Sequence, residues 1–339
     1  MEYPSLDKPT AGAFRFNTDS SNLEIYDGNQ WTSVQSGLTP ELQTGGTRGL
    51  FSGGANPSYS DVIDYINIST TSNAIDFGNL LNSSYMMSGC ASRTRGLFHG
   101  YQGSPAARDN VIEYVTISST GNAADFGDMT NAGSSGGQAW GSSQTRAIMA
   151  IGWICEPSCT AVNNINYATI ASTGNAADFG DLTQVWAKPS GAVASPTRWC
   201  ISGAGTNKID YITIATTGNG ADFGDLTDGT REEGTGASNA VRGLFCGGSG
   251  PGNNNTTDYI TMATLGNALD FGDLVNQTEL GAAAASSTRV TVGGGTTPSK
   301  INNIDYFTIA TTGNAVDFGD RTVTGYGAGS CSNGHGGLG

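Results

Sequence analysis

One phrase is written six times along this chain of 339 residues, and it leaves room for little except a repeating β architecture. Each copy opens on an Arg that starts a short apolar run ending in glycine. It continues into a Tyr-Ile-Thr-Ile-like run, turns through Thr-Gly-Asn or its equivalent (Ser72-Asn73 in the first copy) and closes on Asp-Phe-Gly-Asp, with Asn79 as the last residue in the first copy. The opening residues are Arg48, Arg95, Arg146, Arg198, Arg242 and Arg289, spaced by 44 to 52 residues. A unit of that length cannot bury both faces of its own sheet, so successive copies must pack on one another.

Within a copy, the run after the Arg reads as one strand, as in Leu50-Phe51-Ser52-Gly53-Gly54, and the run around Tyr65, Tyr114, Tyr167, Tyr211, Tyr259 or Tyr306 as the next. The latter reads as apolar on both faces, which suits a sheet covered on each side. Thr-Gly-Asn supplies a tight turn, because Gly and Asn enter left-handed backbone conformations cheaply. A further strand begins at Asp76, Asp125, Asp178, Asp222, Asp270 or Asp317 and carries the Phe that follows.

Before the next Arg comes a stretch of small residues, such as Gly281-Ala282-Ala283-Ala284-Ala285. Strands crowded about a common axis need small side chains, so this stretch is expected innermost and the Phe strand outermost. An extra small-residue stretch, Gly327 to Cys331, follows the sixth copy, whereas none of this type precedes the first. The carboxy-terminal residues are therefore expected to complete the sheet begun at Arg48 and to remove two open edges. The expectation is an all-β, six-bladed β-propeller over residues 47–339. Paired glycines, the Tyr strand and the aromatic strand together resemble the kelch-type propeller family. Phe stands where kelch repeats carry Trp, and three copies have weakened glycine pairs.

Residues 1–34 do not follow the repeat. They alternate in two or three short strands with Phe14, Phe16, Tyr26 and Trp31, joined by Asn/Asp/Gly turns. This segment resembles a short module of bacteriophage tail fibres and other virion proteins, where it sits beside oligomeric shafts or attachment regions. The Ile-Thr-Ile-Ala-Thr-Thr-Gly-Asn phrase looks like that of structural proteins from tailed phages of marine cyanobacteria. The two resemblances imply a virion protein, held to other virion proteins through 1–34 and forming a homo-oligomer, with a trimer as the guess. Residues 35–46 read as a linker.

A net charge of −14 with few Lys or Arg argues against nucleic acid as a partner. No apolar stretch approaches the roughly 18 residues of a membrane-spanning helix, and the amino terminus has no secretory pattern. Of six cysteines, Cys90, Cys200, Cys246 and Cys331 read as small buried apolar residues. Cys155 and Cys159 flank one loop and fit a local disulfide or half of a metal site; no second pair accompanies them for zinc.

Asp-Phe-Gly binds magnesium in protein kinases, but here it recurs without a phosphate-covering loop, a strand Lys or His-Arg-Asp. An Asp-x-x-Asp pair gives calcium too few oxygens. The repeat Arg is instead expected to pair with the first Asp of Asp-Phe-Gly-Asp, once per blade. His99 and His335 sit in no Ser/His/Asp arrangement. The reading is a non-enzyme without cofactor or metal, although carboxylates from separate blades meeting at the axis remain an open arrangement.

Binding has more to stand on. Thr-Gly-Asn and the step before each Arg share one end of the repeat and are nearly constant, while the loops at the other end differ in every copy. Recognition is usually built on such loops. Tyr59, Tyr101, Gln102, Trp153, Asn253, Asn254 and Lys300 lie in them and suit stacking on sugars and bonding to hydroxyls. Trp140 and Trp186 are expected near or beyond the outer strands. Three roles follow: a virion structural or decorating subunit, an adhesin for host surface glycans, and a glycan-cleaving enzyme.

Overall fold

A computed structural model describes residues 9–17, 22–33, 46–102, 110–131, 134–135, 139–155, 158–250 and 253–338. The chain forms two compact units, residues 1–42 and 43–339. Both are built of antiparallel strands, and the described residues include no α-helix, only a 3-10 turn at Gly336–Leu338. The linker expected at 35–46 lies, apart from Gly46, outside the described residues.

The first unit is a three-stranded sheet of Phe14–Asn17, Asn22–Tyr26 and Trp31–Ser33. Register places Phe14 opposite Ile25 and Phe16 opposite Leu23, and Arg15 opposite Glu24 on the other face. Arg15 bonds Glu24 at 2.7 Å and lies 4.4 Å over the Trp31 ring, which packs 5.3 Å from Tyr26. Asp27 Oδ1 accepts the N–H groups of Asn29 and Gln30 and so fixes the second turn.

In the second unit, copies three to six each form a four-stranded sheet with the strand order expected from sequence. In the third copy these strands are Ala139–Ser142, Arg146–Ala150, Asn164–Thr169 and Ala177–Asp181. The first two copies share one seven-stranded sheet, because Ile75–Ala91 runs unbroken from the edge of one copy into the inner position of the next. Ser84, opposite Ser60 on one side and Gln102 on the other, keeps that ladder continuous. Gly329–Ser332 pairs with Arg48–Ser52, so the last residues supply the inner strand of the first copy.

Each copy grips the next through the same atoms, and the sixth grips the first. The Thr-Gly-Asn turn bonds the edge strand of the preceding copy: Gly174 N–H donates to Phe126 O at 2.8 Å, and Asn175 Oδ1 accepts Asp128 N–H at 3.1 Å. The circuit returns with Ala74 N–H to Phe-strand Asp320 O and Asp320 N–H to Asn73 Oδ1. Edge groups that would otherwise invite another strand are thereby occupied. The inner strands touch in the same order, from Ile75–Ala91 through Ala139–Ser142, Pro189–Ala194, Thr235–Ser238 and Ala282–Ala285 to Gly329–Ser332, which touches Ile75–Ala91 again.

The repeat arginines correct the sequence expectation: among the described residues none pairs with an Asp. Instead each guanidinium lies 4.4 to 4.9 Å over the Tyr of its own copy. Its Nη1 donates to a carbonyl of the following copy: Arg48 to Ile117, Arg95 to Ile170, Arg146 to Ile214, Arg198 to Met262, Arg242 to Ile309 and Arg289 to Ile68. A charged donor to a carbonyl is worth about 1.5–3 kcal/mol and the stacking roughly 1 more, so the Arg serves as an inter-repeat brace. The Tyr in turn meets its Phe edge-on, 6.0 Å apart in the second copy. Asp76, Asp125, Asp178, Asp222, Asp270 and Asp317 are exposed.

The Tyr strand is not apolar on both faces. Immediately before each Tyr, Asp64, Glu113, Asn166, Asp210, Asp258 or Asp305 is buried. These acceptors take donors from the preceding copy, as when Thr227 N–H and Oγ1 bond Asp258 at 3.1 and 2.6 Å. Asp64 completes the circuit with Thr322 and with Arg321, whose Nε lies 3.4 Å away, both side chains fully buried. Trp140 and Trp186 also depart from expectation. Trp140 is in an inner strand, stacked 6.0 Å from His99, and Trp186 is buried with its Nε1–H donated to Asp210.

Candidate functional site

The residues expected for recognition fall at the loop end of the sheets, opposite the Arg and Thr-Gly-Asn end. Tyr59 stacks on Tyr85 with ring centroids 4.5 Å apart, and Tyr101 meets Tyr85 edge-on at 5.4 Å. Tyr326 packs 6.3 Å from Tyr85, and Lys300 Nζ lies 5.0 Å from the Tyr326 ring. Three of the expected residues, Tyr59, Tyr101 and Lys300, are thus joined by two that the sequence did not single out. All four tyrosines are half-buried. Burial, together with the neighbouring Tyr59 and Tyr326, pushes the Tyr85 phenol up to about 12, so it remains a neutral donor and acceptor.

Trp153 lies apart from that cluster, its Nε1–H donated to Ala187 O at 2.9 Å. Its ring helps line a cavity of about 110 Å³ with Met87, Lys188, Pro189, Glu233 and Leu280. Lys188 bonds Glu233 at 2.8 Å and lies 3.7 Å from Glu232; the Glu233 bond raises its pKa. Glu279 is raised above the usual carboxylate range, first by burial and then by the charge of Glu233. Beneath, and sharing Met87, Pro189, Gly234, Gly281 and Ala328, lies a second cavity of about 100 Å³ walled by small residues of the inner strands and Trp140.

The lip of this cavity is conformationally marked. Met86, Glu233 and Leu280 hold φ values of 49°, 55° and 55°, left-handed backbone that costs a side chain about 1 kcal/mol each. They are linked: Leu280 N–H donates to Glu233 O, Gly327 N–H to Leu280 O, and Met87 N–H to Gly327 O. Strain held in place by neighbouring backbone is a feature of binding sites.

Asn254 does not stand free; its Nδ2 donates to Asp228 at 2.6 Å and braces the loop. For Gln102 and Asn253 the backbone pairs with Ser84 and Ser249, and their side chains lie outside the described residues. So do Gly103, Ser104, Pro105 and Glu156. Cys159 is disulfide-bonded and directly opposite Cys155 in register, whereas Cys90, Cys200, Cys246 and Cys331 are free and buried. Among the described residues no group of three or more His, Cys, Asp or Glu is placed to hold a metal ion.

At the opposite end the last residues pack against the inner strands. His335 Nε2–H donates to Ala91 O at 2.7 Å while its Nδ1 accepts Gly337 N–H at 3.1 Å. Burial lowers this imidazole to about 4, and it is neutral at pH 7. His99 Nδ1 lies 2.7 Å from Val111 O. His335 Nε2 also lies 3.3 Å from Ser142 Oγ. No protein-family model matches the chain, and no curated protein is significantly similar to it.

Proposed function

We propose that this chain is a six-bladed β-propeller serving as a non-enzymatic recognition subunit of a tailed-phage particle. Its amino-terminal strands attach it to another virion protein and its variable loop end faces host-surface glycans. The inter-repeat bonds, which run through six copies and return to the first, support the ring. The phage setting rests on the two sequence resemblances. Recognition rests on one observation above all: four tyrosines and Lys300 converge at the end whose loops differ from copy to copy. Aromatic faces with a neutral phenol and an ammonium suit the apolar faces and hydroxyls of sugars.

The first test puts the full chain and its Tyr59→Ala/Tyr85→Ala variant on a glycan array. Binding to one glycan class, weakened at least about tenfold in the variant, is the expected result. Binding that survives the variant removes the tyrosines as the site, and no binding leaves a decorating role.

A second reading, glycan cleavage, is favoured by two carboxylates near the cavity: Glu233 lines it, and Glu279, next to the lining residue Leu280, feels the charge of Glu233. One is bonded to Lys188 and the other has a raised pKa, a division of roles seen in acid and base pairs. Release of reducing sugar, lost in Glu279→Gln, would establish it in place of simple binding.

A further inference from the structure

The six copies are alike inside and unlike outside. Among the described residues of the second unit eight large apolar side chains are well exposed, and seven belong to the fifth, sixth and first copies, which are neighbours because the sixth grips the first. The position before the first Asp of each edge strand holds Leu269, Val316 and Ile75 there, 58%, 55% and 58% exposed, but Ala124, Ala177 and Ala221 in the other three copies. Two residues past Asp-Phe-Gly-Asp stand Val275 and Leu81, 52% and 47% exposed, where the second, third and fourth copies have Thr130, Thr183 and Thr227. Leu265 and Val241, 56% and 62% exposed, also replace a Thr found in every other copy.

Interior packing does not ask for these residues, because the same fold is made elsewhere with Ala and Thr. Exposed apolar groups gathered on one side of a molecule mark an interaction surface. The charges between them define its complement. Asp270, Asp273, Asp317, Asp320 and Asp76 are exposed or half-buried along the same edge strands. Residues 64–87, 262–281 and 305–326 contain one basic side chain, Arg321, and it is buried against Asp64. A second copy would set carboxylates against carboxylates and add to a net charge of −14 on each chain.

From this we infer that the outer edge of the fifth, sixth and first copies docks a protein surface presenting apolar side chains flanked by Lys or Arg. Ile75, Leu81, Leu269 and Val316 lie on the edge strands, Val275 just past one, Leu265 in the turn before one and Val241 in the step before Arg242; the inference does not depend on glycan binding.

The test uses a variant assembled from the protein's own alternatives: Ile75→Ala, Leu81→Thr, Val241→Thr, Leu265→Thr, Leu269→Ala, Val275→Thr and Val316→Ala. A random dodecapeptide display library is selected on the full-length protein. Enriched peptides are expected to combine apolar residues with Lys or Arg, to bind the variant at least about tenfold more weakly, and to lose affinity as salt is raised. The inference fails if no peptides are enriched, if they lack basic residues, or if they bind the variant equally well. It fails also if sedimentation shows the wild type self-associating and the variant monomeric, since a second copy is then the occupant. Should the seven-site variant not fold, the triple Ile75→Ala/Leu269→Ala/Val316→Ala carries the same comparison.

Discussion

Asp305 is a sparsely bonded member of the buried column of acceptors. Asp210 receives Thr183 N–H, the Thr183 hydroxyl and Trp186 Nε1–H, and Asp258 receives Thr227 and Arg231. At Asp305 the donor residue is Val275, which offers only its N–H, and Oδ1 is buried without a partner. Burial pushes this carboxyl up to about 6. A native value above the unfolded one, about 3.9, means that the native state holds the proton more tightly. Its contribution to stability is therefore complete below about pH 4 and lost as the pH rises through 6. Asp305→Asn keeps an acceptor for Val275 without the charge, as Asn166 does in the third copy. The variant should gain about 1 kcal/mol at pH 7.5 and little at pH 4.5 by urea unfolding. A loss at pH 7.5, or the same gain at both, would contradict it. None of this column was legible in the sequence, because an Asp opening a strand reads as solvated and its donor comes from a different copy. The arginine braces were hidden for a similar reason: a backbone carbonyl acceptor leaves no mark in a sequence.

The hairpin that ends each copy was legible in outline, since Thr-Gly-Asn and Asp-Phe-Gly-Asp are local signals for a turn and a strand. What the turn touches was not. Gly127, in the edge strand of the second copy, has φ 143°, and a Cβ there would meet the Gly174 carbonyl carbon of the next turn at 2.5 Å. Gly121, in its own turn, has φ 155° and open space around it, and Ser72 takes its place in the first copy. The two glycines therefore serve different ends. Gly127→Ala should cost about 3 kcal/mol, because the displaced backbone also carries the bonds that cover the sheet edge. Gly121→Ser should cost about 1 kcal/mol or less. Thermal unfolding of the two variants side by side checks the ranking, and equal losses would show that contact between copies is not what fixes Gly127. The tyrosine cluster lay beyond sequence reading because Tyr85, in the strand Ile75–Ala91, and Tyr326, in the loop before Gly329–Ser332, are distant in the chain and only the stacking of copies brings them together. Trp140 ran against the small-residue pattern of the inner strands, having found space beside His99.

Both proposed surfaces depend on the proposed closure of the six copies into a ring, and the strand Gly329–Ser332 offers a direct test of it. In an open stack of repeats each unit answers only to its neighbours, so cutting a terminal strand frays one end and spares the rest. In a ring, the same cut releases two sheets from one another and exposes two edges. Gly329–Ser332 is such a strand: it pairs with Arg48–Ser52, and its serines reach the preceding inner strand, Ser330 Oγ donating to Ala283 O and Ser332 Oγ to Ala285 O. The residues beyond it add bonds from Arg93 and Gln144 to Leu338 O. Deleting residues 329–339 should therefore lower the stability of all six copies together. A single urea transition at a much lower midpoint, accompanied by aggregation through the freed edges, is the expected result. A truncated chain that keeps the wild-type midpoint for most of its amplitude, with only a minor early phase, would mean that the copies form an open array. The apolar edge of the fifth, sixth and first copies would then cease to be one surface.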